Sequence, residues 1–436
     1  MRPAIRSIAS LVALAVVPVA VQAQSGQSTA RAVAMGRSMT ASARGYEAVA
    51  WNPALLGMPG SPGFSLSLPQ IGINAYSNAL GPSDLWHYYR IDTLSTQDKN
   101  DILTKIRGTG DSTFGVGILA DVMGLGFTFK NFGLTVFGTA DGNLAVNSDL
   151  VELALVGNIA RRAPGQRYVG TNSRGAGVGT VGLAASWGQG IGVPVGHLAV
   201  GATVKYLRVI SAARVTDLGS YVQNAPDFEA RAGGQALTFD WDQSHFNGTG
   251  FGVDLGAAYE LVSGLRLAAA VENLVSTMSW KDSNLVYYRQ EYLLQQNGIQ
   301  YSDSTISNID KVAYDPTDPE QKALRDSLLT GNPLGTRLRL GAQLSAGPVL
   351  LAGDLRFRVA KGVVAGPAQR ASVGAELPLS VVRLRAGLAS DFSGGFGLSG
   401  GLGFQLGPVR LDFAAATTPG GDRQGLTLAT GLSVMN

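Results

Sequence analysis

The last third of the chain alternates between polar and apolar positions over several consecutive segments. In RLRLGAQLS, Arg337, Arg339 and Gln343 occupy one parity, whereas Leu338 and Leu340 occupy the other. A β-strand sends successive side chains to opposite faces, so this period of two predicts strands with one apolar and one polar face. The same parity rule collects further charged residues, namely Lys205, Asp254, Arg266, Glu272, Asp354, Arg356, Arg358, Glu376, Arg383, Arg385, Asp391, Arg410 and Asp412. A soluble sandwich shows the same alternation, so other features decide between the two architectures.

Strand-like segments follow one another nearly throughout from Gly63 onward. We predict an all-β fold, a transmembrane antiparallel β-barrel of about fourteen strands with a range of twelve to sixteen, over residues 63–436. Long connections are expected near 77–112, 209–234 and 276–334, whereas turns such as Ala346-Gly347-Pro348 are short. Short turns on one rim and long loops on the other are typical of transmembrane barrels. A few short helices are expected, one at 96–106 and another at 149–156, where a strand is the alternative.

The arginines of this pattern determine how such a barrel is oriented. An arginine that faces lipid costs about 2–4 kcal/mol at the middle of a membrane. Seven arginines share the polar parity, so a register slip of one residue would cost on the order of 10 kcal/mol or more. We therefore expect the charged set to face the lumen, where acidic residues partly cancel a basic surplus. Such a lumen suits a wet channel, and it equally suits a lumen filled by the chain itself.

The N-terminus has the pattern of a cleaved signal peptide over residues 1–23. Arg2 and Arg6 precede an apolar run from Ile8 to Val21, and small residues precede a cut after Ala23. This run is too short to span a bilayer as a helix, although an N-terminal membrane anchor is the alternative. We expect an exported protein of the cell envelope.

Composition excludes several classes of function. The chain has no Cys, which excludes disulfides, thiolate metal sites and a Cys nucleophile. Without Arg2 and Arg6, 32 of its 34 basic residues remain against 31 acidic ones, so no nucleic-acid partner is expected. We predict no cofactor and no metal. The GxGxxG match at residues 177–182 lies inside a predicted strand, which argues against a dinucleotide site.

Aromatic residues lie near the predicted strand ends. Trp86 to Tyr89, Trp187, Trp280 and the pair Tyr287-Tyr288 are candidates for the girdles of a membrane barrel, with local loop packing as the alternative for 86–89. A separate candidate is His245, which has Asp240, Asp242 and Ser244 nearby. We expect a protein that is not an enzyme, and this cluster leaves a surface hydrolase as a remote alternative.

Residues 30–56 are dominated by small side chains that allow close packing of the backbone. By composition alone this segment is equally a plug in the lumen or a flexible tail. As a plug it would be an N-terminal hatch over residues 24–62, and its candidate residues would be Gly36, Gly45, Ala48, Asn52, Pro53, Ala54 and Leu55.

A small-residue segment that ends in Asn52-Pro53-Ala54 just after a signal peptide resembles the N-terminal mark of FadL-type outer-membrane barrels. The match extends to Gly45 and Ala48, and Asp254-Leu255-Gly256 with Glu272-Asn273-Leu274 adds to it. PorV-like barrels share the mark, and the C-terminal third is similar to the end of such a barrel.

This resemblance implies a barrel of about fourteen strands in a Gram-negative outer membrane, with the hatch inside the lumen. It implies transport of small hydrophobic molecules, with outer-membrane lipid and a small hydrophobic ligand as partners. The PorV-like relatives imply the alternative of a scaffold for secretion or assembly, with secretion-system proteins as partners.

Overall fold

The computed structural model of the protein describes residues 27–157, 163, 165–223, 228–240, 247–262, 264–295, 298–300, 310–329, 334–360, 368–392, 395–418 and 424–436. The predicted signal peptide at 1–23 lies outside this range. Within the described ranges, no helix combines the length and the apolar character that crossing a membrane requires.

A closed antiparallel barrel forms the body of the molecule. In the described part of the chain, fourteen wall strands each pair with the preceding and the following one, and the last pairs with the first. The first strand, β1, has two segments, Phe64–Ser67 and Gln70–Ser77. The others are β2 (Thr113–Phe129), β3 (Phe132–Asn147), β4 (Arg174–Ile191), β5 (His197–Asp217), β6 (Gly248–Val262), β7 (Leu265–Trp280), β8 (Arg337–Ala346), β9 (Val349–Arg358), β10 (Gln369–Leu379), β11 (Val382–Ser390), β12 (Phe396–Leu406), β13 (Val409–Thr418) and β14 (Gln424–Met435). The predicted fold class and strand number are confirmed.

The two rims of the barrel differ, as the sequence predicted. At one rim, two-residue turns join β2 to β3, β8 to β9, β10 to β11 and β12 to β13. Each of these turns begins with a residue of positive φ, such as Gly347 at 60° and Gly407 at 59°, which is the conformation that tight hairpins require. The long connections all lie at the opposite rim. We call the short-turn side the inner rim and the long-loop side the outer rim.

Ordered structure replaces two of the loops that the sequence predicted. Strand β5 continues to Asp217, and the rim strands Tyr221–Gln223 and Glu229–Phe239 occupy most of the segment expected as a loop at 209–234. Within the loop expected at 276–334 are the rim strands Leu285–Gln295, Gly298–Gln300 and Asp310–Ala313. Together with Arg167–Val169 they form a small sheet that extends the barrel wall at the outer rim. The strand Glu229–Phe239 illustrates why the pattern missed this sheet, because its buried and exposed positions do not alternate regularly.

This outer-rim sheet has its own core and ion pairs. Phe239 stacks on Trp280, with ring centroids 6.1 Å apart, and Leu285 and Leu328 pack in the same buried cluster. Arg231 and Arg289 both donate to Glu291, and these hydrogen bonds hold the pKa of that carboxyl below its usual range.

Short helices lie inside the barrel and at the outer rim. Their bounds are α1 (Ala30–Ala34), α2 (Tyr46–Trp51), α3 (Pro82–Arg90), α4 (Thr96–Arg107), α5 (Ser148–Val156) and α6 (Pro319–Leu329), with 3-10 turns at Pro53–Gly57 and Asp282–Asn284. Ser95 and Asp98 form a capping box that fixes the start of α4. The ambiguous segment near 149–156 is thus a helix, and Asn147 caps it.

The outward face of the wall is apolar. Along β4, exposed and buried positions alternate, and Leu183 and Trp187 are exposed. Exposed leucines, valines and phenylalanines continue this belt around the ring, as at Leu134, Val204, Leu355 and Leu402. A continuous apolar surface of this size is expected where a barrel contacts lipid.

Substituting arginine on this belt is expected to disturb membrane folding according to depth. Leu340 lies near the middle of β8, whereas Leu406 is the last residue of β12 at the inner rim. We expect Leu340→Arg to cost about 2–4 kcal/mol and Leu406→Arg about 0–1 kcal/mol. Equilibrium urea unfolding from lipid vesicles measures both values. Equal costs at the two positions would contradict the assignment of the outward face to lipid.

Candidate functional site

The N-terminal segment, residues 27–58, lies inside the ring of strands. From Gln27 to Leu56 every residue is buried except Arg37 and Arg44, which are half-buried. Helix α1 contacts β11 to β14, and the turn Pro53–Gly57 contacts β4, β5 and β6 on the other side of the ring. The segment therefore crosses the lumen from wall to wall.

Glycines on the inward face of the wall allow this close fit. A Cβ atom at Gly374 would lie 2.4 Å from the carbonyl oxygen of Met35, and one at Gly387 would lie 2.3 Å from the nitrogen of Gly36. On the opposite side, a Cβ atom at Gly256 would lie 2.0 Å from Oδ1 of Asn52. Any larger residue at these positions collides with the backbone or a tightly held side chain of the segment.

Asn52 fixes the segment to two strands at once. Its Nδ2 donates to the carbonyl oxygens of Thr40, Ala257 and Ala269 at 3.2, 3.2 and 3.3 Å. Its Oδ1 accepts from the backbone nitrogen of Ala54, which starts the 3-10 turn. A buried amide uses almost its full set of donors and acceptors here, which explains why this type of residue stands before Pro53.

The remaining candidate hatch residues have simpler roles in packing. Gly36 and Gly45 adopt φ values of 63° and 55°, a left-handed conformation that costs glycine little. Gly45 lies against Ser65 of β1. Ala48, Ala54 and Leu55 are buried against the wall.

Two carboxylates of the wall accept hydrogen bonds directly from the backbone of the segment. Asp354 of β9 accepts hydrogen bonds from the nitrogens of Met39 and Thr40 at 3.0 and 2.9 Å and from the Thr40 hydroxyl at 2.6 Å. Asp121 of β2 accepts from the nitrogen of Ser28 at 2.8 Å. These bonds satisfy buried backbone donors that have no partner within the segment itself.

A first charged cluster joins the segment to the wall in the inner half of the lumen. Arg31 bonds to Glu47 within the segment and to Glu376 of β10, each at 2.8 Å. Glu376 also pairs with Arg385 at 2.7 Å, and Arg385 pairs with Asp412. Arg383 adds a contact to Glu376 at 3.2 Å.

A second charged cluster lies across β5 to β8, toward the outer rim. Glu272 is its centre and pairs with Lys205, Arg337 and Arg339. Lys205 also pairs with Asp254 at 2.7 Å. All five side chains are buried. Arg339 additionally donates to the carbonyls of Ala50 and Trp51 and lies over the Trp51 ring, 4.9 Å from its centroid.

The other sequence-predicted luminal residues lie near the two rims. Arg266 pairs with Glu260 at 2.7 Å by the inner rim and donates to the carbonyl of Pro59. Arg410 also lies near the inner rim and contacts the sulfur of Met435. Arg356 and Arg358 lie toward the outer end of β9, and Asp391 follows the end of β11.

Sequence reasoning missed the charged residues of the segment itself. Arg31 pairs with Glu47 in the segment and with Glu376 in the wall, and Arg37 is half-buried. Four charges, Arg31, Arg37, Arg44 and Glu47, interrupt an otherwise small and apolar stretch. In a segment with so few large polar residues, each such charge is a signal for a partner in the lumen.

The hydrolase candidate lies mostly outside the described residues, since Asp242, Ser244 and His245 belong to 241–246. Across the part of the chain that the structure describes, His, Asp and Glu residues form no group able to hold a metal ion. The GxGxxG match at 177–182 lies within β4. The described lumen thus presents ion pairs and hydrogen bonds that hold the N-terminal segment against the wall.

Comparisons with known proteins give one family and several barrels. The model of a family of unknown function, DUF5723, matches residues 57–415. The chain is similar to the toluene transporter TodX of Pseudomonas putida at 12% identity, over 94% of this chain and 99% of that one, with a TM-score of 0.47. It is similar to the monoaromatic hydrocarbon channel CymD at 14% identity, over 93% and 96%, with a TM-score of 0.48. It is also similar to a FadL homologue of Pseudomonas aeruginosa at 10% identity, over 95% and 99%, with a TM-score of 0.46. No curated protein sequence matches it.

Proposed function

Since the chain belongs to DUF5723, a family of unknown function, we propose its function from its own geometry: it is a gated outer-membrane barrel for small hydrophobic molecules. In this proposal the N-terminal segment is the hatch, and passage requires that it shift within the lumen. The ring of strands stays closed throughout.

The observation that carries the proposal is the way the segment is held. Beside its apolar contacts, the segment is linked to the wall by hydrogen bonds and ion pairs, such as Arg31 to Glu376 and Asp354 to Thr40, inside a lumen with polar groups on both sides. Such polar links can be replaced by hydrogen bonds to water when the segment moves. The segment remains tethered at the inner rim, because its chain continues into β1 at Phe64.

The surface that such a shift exposes supports an apolar cargo. Between the two charged clusters, Met35, Met39 and Trp51 of the segment pack against small wall residues such as Ala258 and Ala352. Displacement of the segment leaves an apolar strip of small side chains along the wall. A passage of this kind favours small hydrophobic molecules over ions.

Deleting residues 30–56 tests the proposal. We expect faster uptake of small hydrophobic molecules, measured with a labelled panel in proteoliposomes that carry either the full chain or the deletion. A deletion of 82–90, which removes the outer-rim helix α3, is the control and leaves uptake unchanged. Equal uptake by the full chain and the 30–56 deletion across the panel would rule out a hatch that controls passage.

A scaffold for secretion or assembly is the second candidate, and the outer-rim sheet favours it. That sheet has an ordered core around Leu285 and Leu328, so it presents a defined surface beyond the wall. A scaffold retains partner subunits when it is purified from native membranes in mild detergent. Co-purification of secretion components supports this function, and a barrel that purifies alone supports transport.

A further inference from the structure

Arginines of three neighbouring strands lie side by side on the inward face of the wall, next to the N-terminal segment. In the strand register, Arg339 of β8 stands opposite Arg356 of β9, and Arg356 stands opposite Arg370 of β10. Adjacent strands are only about 4.8 Å apart, and like charges directly opposite each other are destabilising. This row therefore has an energetic cost that something else in the structure has to offset.

The N-terminal segment adds a further arginine to this row. Arg37 follows Gly36, whose carbonyl accepts a hydrogen bond from Arg370 at 3.5 Å. Arg37 holds a φ of 69°, which a residue with a side chain adopts at a cost of about 1 kcal/mol or more. Arg356 thus has the cations Arg337, Arg339, Arg370 and Arg37 as neighbours.

Acidic partners account for only part of this charge. Arg339 is paired with Glu272, which also acts on Arg356. Asp121 acts on Arg37, and Asp391 acts on Arg370. Asp354, the acid nearest to Arg356 along β9, gives both oxygens to the segment at Met39 and Thr40. Among the residues that the structure describes, no carboxylate lies within ion-pair distance of Arg356.

Free donors remain at the same place. The Nε atom of Arg370 is fully buried and has no hydrogen-bond partner within the described residues. Arg37 uses one Nη2 contact, to the Ser28 hydroxyl at 3.2 Å, out of the five N–H groups of a guanidinium. The residues Arg37, Arg356 and Arg370 are half-buried, so part of each remains accessible.

We propose that Arg37, Arg356 and Arg370 bind an oxyanion of the phosphate class in the lumen. A phosphate or phosphate ester carries up to two negative charges and several acceptor oxygens, and it accepts the paired N–H groups of guanidinium forks. A monocarboxylate would leave most of the charge uncompensated. Arginine stays protonated at any physiological pH, so the site keeps its charge.

The bound anion also links the segment to the wall. Arg37 belongs to the segment, whereas Arg356 and Arg370 belong to β9 and β10. An anion between them stabilises the seated position of the segment by mass action. The inference does not depend on which molecule the barrel transports, because it concerns the closed state alone.

Calorimetric titration of the full-length barrel in a neutral detergent tests this site, with inorganic phosphate as the probe and ionic strength held constant with chloride. We expect saturable binding that Arg356→Gln and Arg370→Gln each weaken about tenfold or more, as the loss of one charged hydrogen-bond donor implies. Arg266→Gln removes the same charge near the inner rim and keeps wild-type affinity. Absence of phosphate binding, or equal weakening in all three variants, would overturn the proposal.

Two further measurements separate a binding role from a purely structural one and identify the source of the anion. Without phosphate, Arg356→Gln is expected to unfold at the same temperature as the wild type or higher, because it removes repulsion. With phosphate, only the wild type and Arg266→Gln gain stability. A water-dispersible short-chain phosphatidic acid serves as the second probe: if it competes at lower concentration than inorganic phosphate, the site takes a lipid headgroup, and the reverse order indicates a soluble phosphate. A lower unfolding temperature for Arg356→Gln, with no stabilisation of the wild type by either probe, contradicts the site.

Discussion

Gly374→Val is expected to unseat the N-terminal segment and raise the conductance of the barrel about tenfold or more. The added Cβ atom would meet the Met35 carbonyl at 2.4 Å, and a backbone atom cannot rotate away. Overlap of this kind in a packed interior costs about 1–3 kcal/mol, and each 1.4 kcal/mol corresponds to about a tenfold larger open population. Single-channel recording in planar bilayers measures the effect.

The neighbouring glycine on β9 provides the matched control for this substitution. Gly353 stands opposite Val373 and faces outward, and a Cβ atom there has its nearest neighbour at 3.7 Å. Gly353→Val is therefore expected to conduct like the wild type. The absence of cysteine from the chain allows a second readout. A thiol placed by Ala48→Cys, which is buried inside the lumen, should react faster with a water-soluble reagent only in the Gly374→Val background. Equal conductance of the two valine variants would show that the segment does not occlude the lumen.

Glu272→Gln is expected to give the largest loss of stability of any single charge substitution considered for this barrel. The glutamine leaves Lys205, Arg337 and Arg339 buried around a neutral group, with only Asp254 remaining as a counter-charge for Lys205. Removing one partner of a buried ion pair typically costs about 3–5 kcal/mol, since the other charge stays out of water without compensation. Equilibrium unfolding in urea from lipid vesicles measures the free energy directly.

A second glutamate serves as the comparison for this loss. Glu260 pairs with Arg266 near the inner rim, where both side chains are partly exposed. A partly exposed pair costs less to break than a fully buried one, because water reaches the remaining charge, so Glu260→Gln should lose less free energy of unfolding than Glu272→Gln. A loss for Glu272→Gln as small as the loss for Glu260→Gln would mean that the second charged cluster contributes no net stability.

The barrel fold could be predicted from the sequence because lipid requires apolar side chains and the lumen accepts polar ones, and neighbouring residues of a strand face opposite sides. Leu338 and Arg339 alternate in the chain, and in the barrel the first faces outward while the second is buried inside. Turn residues supplied the rest, since Gly347 and Gly407 mark hairpins that only antiparallel neighbours can form. These local rules are sufficient for the fold class and the strand number.

These local rules do not predict which group each luminal charge contacts. Arg31 and Glu376 are 345 positions apart, and their contact depends on where a plug of irregular backbone lies within the ring. The outer-rim sheet was not predicted, for a different reason. Its strands, such as Glu229–Phe239, lack a clean alternation of buried and exposed positions, so the pattern predicts loops there.

The contacts of the N-terminal segment have a consequence for the order of folding. The segment precedes the wall in the chain, yet its partners include Ala257, Ala269, Glu376 and Ser399, which belong to β6, β7, β10 and β12. Its buried donors and charges therefore find their partners only when those strands have taken their places in the ring. The segment and the wall thus reach their final arrangement together, and neither is complete without the other.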